Sequence, residues 1–146
     1  MLGNKKNVQY VPWSQNIIPG TCAIKNILYH VICLICDECY GGETMRVSHG
    51  RFSEHLRAAN NPSKYPINAI GQHYAEYHNG LKAQLSFKIV KRFRDTARRK
   101  ICESLYIIKQ GTRINKREEM PHLRNTLSGL FWQYHFIVAC NISACI

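Results

Sequence analysis

The chain has 146 residues, with 45% apolar and 20% charged side chains, a mixture that suits one globular domain and excludes a disordered or collagen-like chain. Twenty Lys and Arg against nine Asp and Glu give a net charge of +11, which points to a polyanionic partner. Nucleic acid ranks first and an anionic membrane surface second.

Residues 1–22 are polar and turn-rich, with Pro12, Pro19 and Gly20, and read as an irregular lead-in. They hold no apolar run of the secretory kind, so the chain is expected inside the cell, with its seven cysteines as reduced thiols or metal ligands. An odd count also rules out full pairing within one chain. Residues 24–32 (IKNILYHVI) read as a strand with Ile27, Tyr29 and Val31 on one face. A turn over residues 36–38 leads into Cys39-Tyr40, and Gly41-Gly42 is expected to stop this second strand of a hairpin.

The helical pattern of residues 48–59 places Phe52, Leu56 and Ala59 on one stripe, with Gly50 a weak point inside it. NNPSKYP is a loop. A second helix is expected from Asn68 to Tyr77 with Ile70, Tyr74 and Tyr77 as its apolar stripe, ended by Asn79-Gly80. Residues 84–91 (QLSFKIVK) alternate as a strand with Leu85, Phe87 and Ile89 inward. Asp95 or Thr96 then caps a helix running to Lys109, with Ile101, Leu105 and Ile108 toward the core and Gly111 as its stop. The order β-β-α-α-β-α predicts an α+β domain around an antiparallel sheet. Residues 127–146 are apolar, but Gln133, His135 and Asn141 interrupt the run. They read as a packed terminal segment or out-of-frame sequence rather than a membrane anchor.

Cys33-x2-Cys36 lies in the hairpin and His73-x4-His78 follows in the second helix. Thiolates and imidazoles at such spacings are the ligands zinc prefers. Five residues turn an ideal helix by about 140° beyond a full turn, so His78 must sit where the helix unwinds. Cys36-x2-Cys39 is a competing knuckle. Parity separates the two sets: the chain must turn at residues 34–36 for the first and at 37–38 for the second. Small buried thiols in a strand are the plain alternative to either.

Tyr29 and Tyr40 lie on neighbouring strands, Arg51 and His55 share a helix face, and Glu103 and Asn115 lie on and just beyond the last helix. Singly, each has a structural explanation. Together, the segment CAIKNILYHVICLICDECYGGETMRVSHGRFSEHLRAANNPSKYPINAIGQHYAEYH, followed by LSFKIV, RRKICESLYIIK and INKREE, resembles the GIY-YIG endonuclease domain of Penelope-like retroelements. The shared features, in order, are a GIY-type tyrosine, C-x2-C, a YIG-type motif followed by Glu-Thr, R-x3-H, EHLRAANNP and H-x4-H. The resemblance spans residues 22–120 and sets an endonuclease domain at 23–120 and an apolar tail of unknown role at 121–146. The chain departs from the pattern at Ile27-Leu28-Tyr29, which lacks the glycine, at Tyr40-Gly41-Gly42, and at Met45, Ser48 and Gly50.

The resemblance implies a three-stranded antiparallel sheet flanked by helices and hydrolysis of DNA phosphodiesters with one Mg²⁺ or Mn²⁺. It implies catalytic roles for Tyr29, Tyr40, Arg51, His55, Glu103 and Asn115. Glu103 is the implied ligand of the catalytic cation, and Cys33, Cys36, His73 and His78 are the implied ligands of a structural Zn²⁺. A tyrosine base needs a nearby cation to lower its pKa from about 10. The expected partners are double-stranded DNA, bound by the basic runs at 91–94 and 98–100, and a reverse transcriptase. The expected location is the nucleus. One alternative is a catalytically inactive, zinc-stapled DNA-binding remnant of such an element. An active enzyme requires Tyr29, Tyr40, Arg51 and Glu103 to converge on one solvent-open basic concavity.

Overall fold

A computed structural model describes residues 23–115; the expected lead-in at 1–22 and tail at 121–146 lie outside the described residues. The described chain is α+β. Strands β1 (Ile27–Cys33), β2 (Cys39–Thr44) and β3 (Leu85–Arg92) form an antiparallel sheet in the order β2-β1-β3. Helices α1 (Ser48–Asn60) and α2 (Ala69–Tyr77) lie between β2 and β3 in the chain, and α3 (Thr96–Gln110) follows β3.

The central strand is buried on both faces, which is why its sequence is nearly continuous in apolar residues. Ile27, Tyr29, Val31 and Cys33 face the larger core, shared with Phe52 and Ala59 of α1 and Ile70 and Tyr74 of α2. Leu28 faces a smaller core with Phe93, Cys102 and Tyr106. The strand starts at Ile27 rather than residue 24, because Asn26 adopts a left-handed conformation (φ 58°) that breaks the extended run.

Gly41-Gly42 does not stop β2, contrary to expectation: the strand runs through both glycines to Thr44. Each is needed for close approach. A Cβ on Gly42 would lie 2.5 Å from the Tyr29 hydroxyl, and one on Gly41 would lie 3.2 Å from the Ile107 side chain. The strand is thinned on both faces. Its outer edge is closed by residues 114–115, where the Ile114 N–H donates to the Cys39 carbonyl.

α1 carries the expected Phe52 and Ala59, but His55 is more deeply buried than Leu56. α2 begins at the Asn68 cap, whose side chain accepts from the Gly71 N–H. Gly71 lets α2 cross α1 closely, since a Cβ there would meet the Ala58 carbonyl at 3.1 Å. Tyr77 is not part of the buried stripe; it is 66% exposed.

α3 is capped by Asp95, which accepts from the Arg98 N–H, and ends at Gly111 in the left-handed region (φ 59°). Its buried face is not the expected Ile101, Leu105 and Ile108. Arg99, Cys102, Tyr106 and Ile107 are buried instead, and Ile108 is 58% exposed. The helix is rotated because Arg99 has a partner inside: its guanidinium pairs with Glu43 and donates to the Asn26 side chain at 3.1 Å. Among the described residues no helix is long and apolar enough to cross a membrane.

Candidate active site and metal centre

The hairpin turn and the end of α2 build a compact thiol–imidazole cluster. The chain turns at residues 34–36, with the Asp37 N–H donating to the Cys33 carbonyl, which brings Cys33 and Cys36 to the same side. His73 lies inside α2. His78 is its C-terminal cap, with φ −135° and ψ 30°, so the helix unwinds where the spacing requires it.

The donor atoms of Cys33, Cys36, His73 and His78 all lie within 4.8 Å of one another. The Cys36 sulfur is 3.4 Å from His73 Nε2 and 3.2 Å from His78 Nε2, and the Cys33 sulfur is 3.5 Å from His78 Nε2. The edges of a tetrahedron with metal–ligand bonds of about 2.0–2.3 Å are of this size. The four residues form a Cys2His2 group that could hold a metal ion such as zinc. Burial, reinforced by His78, lowers the pKa of His73 and keeps it in the neutral form that binds metals.

Cys39 is outside the group; its thiol turns to the Asp37 carbonyl at 3.4 Å. The competing ligand set is therefore not assembled. Tyr74, read from the sequence as an apolar residue, adds an outer contact. Its hydroxyl meets the Cys33 sulfur at 3.4 Å and the Gln84 N–H at 3.0 Å, tying the cluster to the residue just before β3.

A second constellation lies around Tyr29 on β1. The buried Tyr29 hydroxyl accepts from Arg51 Nε at 3.0 Å and lies 2.8 Å from His55 Nε2. The phenol oxygen can accept a second hydrogen bond as well as donate its own, so the contact with His55 Nε2 forms with either neutral imidazole tautomer. His55 Nδ1 has no hydrogen-bond partner among the described residues. Tyr40 on β2 closes the group: its ring centroid is 6.4 Å from that of Tyr29 and 5.3 Å from that of His55. Gly42 packs against the Tyr29 hydroxyl and both are buried, so the solvent-open concavity expected of an active enzyme is not formed at this hydroxyl.

Burial pushes the Tyr29 pKa up to about 12. Arg51 opposes the rise through its charge and its hydrogen bond, while Glu103 and Glu43 add to it. The cation that the sequence called for is thus beside Tyr29, but desolvation outweighs it, and the phenol is neutral at pH 7. Burial also lowers His55 to about 3, with Arg51 reinforcing the effect. For Arg51, burial acts against the charge, and Tyr29, Tyr40 and Glu54 outweigh it.

Glu103 belongs to α3, which packs on the other face of the sheet from α1 through Leu28 and Phe93. It nevertheless reaches β2, where its Oε1 accepts from the Glu43 N–H at 2.9 Å, and its charge is felt at Tyr29. Asn115 does not join this group. Its side chain accepts from the Gly41 N–H and donates to the Gly41 carbonyl, both at 2.8 Å, and so braces the glycine strand from the edge.

Sequence reasoning missed two carboxylates. Glu54 pairs with Arg51 at 3.2 Å and with Arg46 at 2.7 Å, and Glu43 holds the buried Arg99. The i, i+3 spacing of Arg51 and Glu54 was the available signal for the first. Arg99 is also a correction to the expected basic run at 98–100: it is 1% exposed and cannot meet DNA, whereas Arg92, Arg94 and Arg98 are exposed. Comparison with family models, with curated proteins and with solved structures gives no match to this chain.

Proposed function

We propose that this chain is a DNA endonuclease of the GIY-YIG type, derived from a Penelope-like retroelement, that nicks duplex DNA by phosphodiester hydrolysis. The observation that carries the reading is the meeting of Arg51, His55 and Tyr29 at one hydroxyl beneath Gly42. Phosphate hydrolysis needs fixed positive charge for the non-bridging oxygens and an oriented water, and these side chains are the types that supply them.

Arg51 binds the scissile phosphate in this reading, exchanging Glu54 for the substrate. Tyr29, neutral and fully buried, positions the Arg51 guanidinium through its hydroxyl. His55, 2.8 Å from the Tyr29 hydroxyl and kept neutral by burial, holds that hydroxyl in place. Glu103 would hold a Mg²⁺ or Mn²⁺ ion. A single carboxylate beside Glu43, whose own charge is engaged by Arg99, fits a cation usually bound by one or two carboxylates with water and phosphate. Bound there, the cation would neutralise charge on the phosphate. In the same reading the Cys2His2 group holds Zn²⁺ and staples the hairpin to α2, and the protein works in the nucleus with a reverse transcriptase.

The second reading, an inactive zinc-stapled DNA-binding remnant, draws on the pairing of Arg51 with Glu54 and the high pKa of Tyr29. Nicking of a supercoiled plasmid with Mg²⁺, comparing the native chain with Arg51→Ala, separates the two. The nuclease reading expects nicking that falls at least a hundredfold in the variant. Binding without nicking by the native chain favours the remnant, and equal nicking by both proteins removes Arg51 from the mechanism.

A further inference from the structure

The loop between α1 and α2 forms one wall of an open groove of about 440 Å³ that begins at Arg51 and is lined by Lys64, Tyr65, Ile67 and Asn68. Ile67 is 89% exposed and Tyr65 37%. A single exposed apolar side chain is ordinary. This one is held outward by a loop with little freedom. The Tyr65 N–H donates to the Pro62 carbonyl, the Asn68 N–H to the Tyr65 carbonyl, and the Gln72 amide to the Pro66 carbonyl. Pro62 and Pro66 fix two backbone angles besides.

We propose that this groove seats the duplex next to the scissile phosphate, with Lys64 on a flanking phosphate and Ile67 inserted as an apolar wedge between base pairs of the minor groove. The inference rests on the nuclease reading, since Arg51 joins the groove to the Tyr29 hydroxyl. The charge is complementary: Arg51 and Lys64 line the groove in a chain of net charge +11. Rigid apolar wedges beside basic residues are a recurrent way of unstacking one base step and bending DNA. A bend at that step exposes the neighbouring phosphodiester to Arg51.

The test uses the full chain with a mixed-sequence duplex carrying a fluorophore at each end, and with supercoiled plasmid and Mg²⁺. The native chain is expected to shorten the end-to-end distance on binding. Ile67→Ser should lose that bending and lower the nicking kcat/KM about tenfold, with the salt dependence of binding unchanged. Lys64→Ala should weaken binding and reduce the slope of log affinity against log salt by about 1. Ile108→Ser, on α3, is the folding and handling control and should match the native chain. If the native chain binds and nicks but both loop variants match it, this proposal is overturned and the nuclease reading stands. If the native chain neither binds nor nicks duplex DNA, the nuclease reading falls and takes the proposal with it.

Discussion

Gly42 shows how much one side chain decides. A methyl group there would sit 2.5 Å from the Tyr29 hydroxyl and 2.8 Å from the Tyr40 ring. Neither ring can retreat, since Tyr29 is fully buried and Tyr40 is 6% exposed. Gly42→Ala is therefore expected to destabilise the fold by roughly 1–3 kcal/mol, seen as a lowered denaturant midpoint in urea. Gly50 is the opposite case: nothing lies within 4 Å of a Cβ added there, so Gly50→Ala should raise stability by about 1 kcal/mol in the same experiment. His55 sets a pH dependence. Its pKa falls from 6.5 to about 3 in the folded chain, so below pH 6.5 the unfolded chain binds the proton more readily. The stability that this neutral His55 contributes is full above pH 6.5 and is lost as the pH falls toward 3. His30 and His73 shift in the same direction. Urea titrations from pH 7 to pH 4 should show a shallower loss for His55→Gln than for the native chain, by up to about 1.4 kcal/mol per pH unit. Parallel curves would mean that His55 is not held neutral by burial.

At the scale of elements, the hairpin and α2 are joined by few apolar contacts at their tips, where Leu34, Ile35 and Tyr77 are all exposed. The Cys2His2 group is what spans that gap. A metal bound by the folded chain alone stabilises by mass action, and in a domain of this size 1 kcal/mol corresponds to about 4–8 °C in melting temperature. Purified chain should carry one zinc per molecule, and chelation should lower its melting temperature by about 5 °C or more. Cys36→Ser should reproduce that loss, whereas Cys39→Ser should retain the metal, because the Cys39 thiol faces the Asp37 carbonyl instead. Absence of stoichiometric zinc together with an unchanged melt on chelation would make these four residues ordinary buried groups.

At the scale of the whole molecule, the charge of +11 is not one undivided surface. Arg98 is exposed, while its neighbour Arg99 is buried against Glu43 and Asn26. Removing one partner of a buried pair typically costs about 3–5 kcal/mol, so Arg99→Ala should unfold at much lower urea. Arg98→Ala should keep its stability and bind duplex DNA more weakly, with a smaller dependence on salt. Affinity that stays flat between low and high salt in the native chain would remove the phosphate backbone as the main contact.

By itself the sequence determined the elements and their order, because each is written in local chemistry. The apolar run of β1, the alternation of β3, the Asn68 and Asp95 caps, the Gly111 stop and the unwinding at His78 all depend on residues a few positions apart. The ligand set was half legible: spacing proposed two knuckles, and the turn at 34–36 chose Cys33 over Cys39. What only the tertiary structure decided depends on partners distant in the chain. The face that α3 buries carries Cys102, Tyr106 and Ile107 with Arg99, whose partner Glu43 is 56 residues away, and not the Ile101, Leu105 and Ile108 stripe. The persistence of β2 through two glycines was set by Tyr29 and Ile107 filling the space. The direction of the Tyr29 pKa was decided by burial, which no spacing encodes: a cation in the right place brings a phenol's pKa below its usual value only where the attraction exceeds the desolvation.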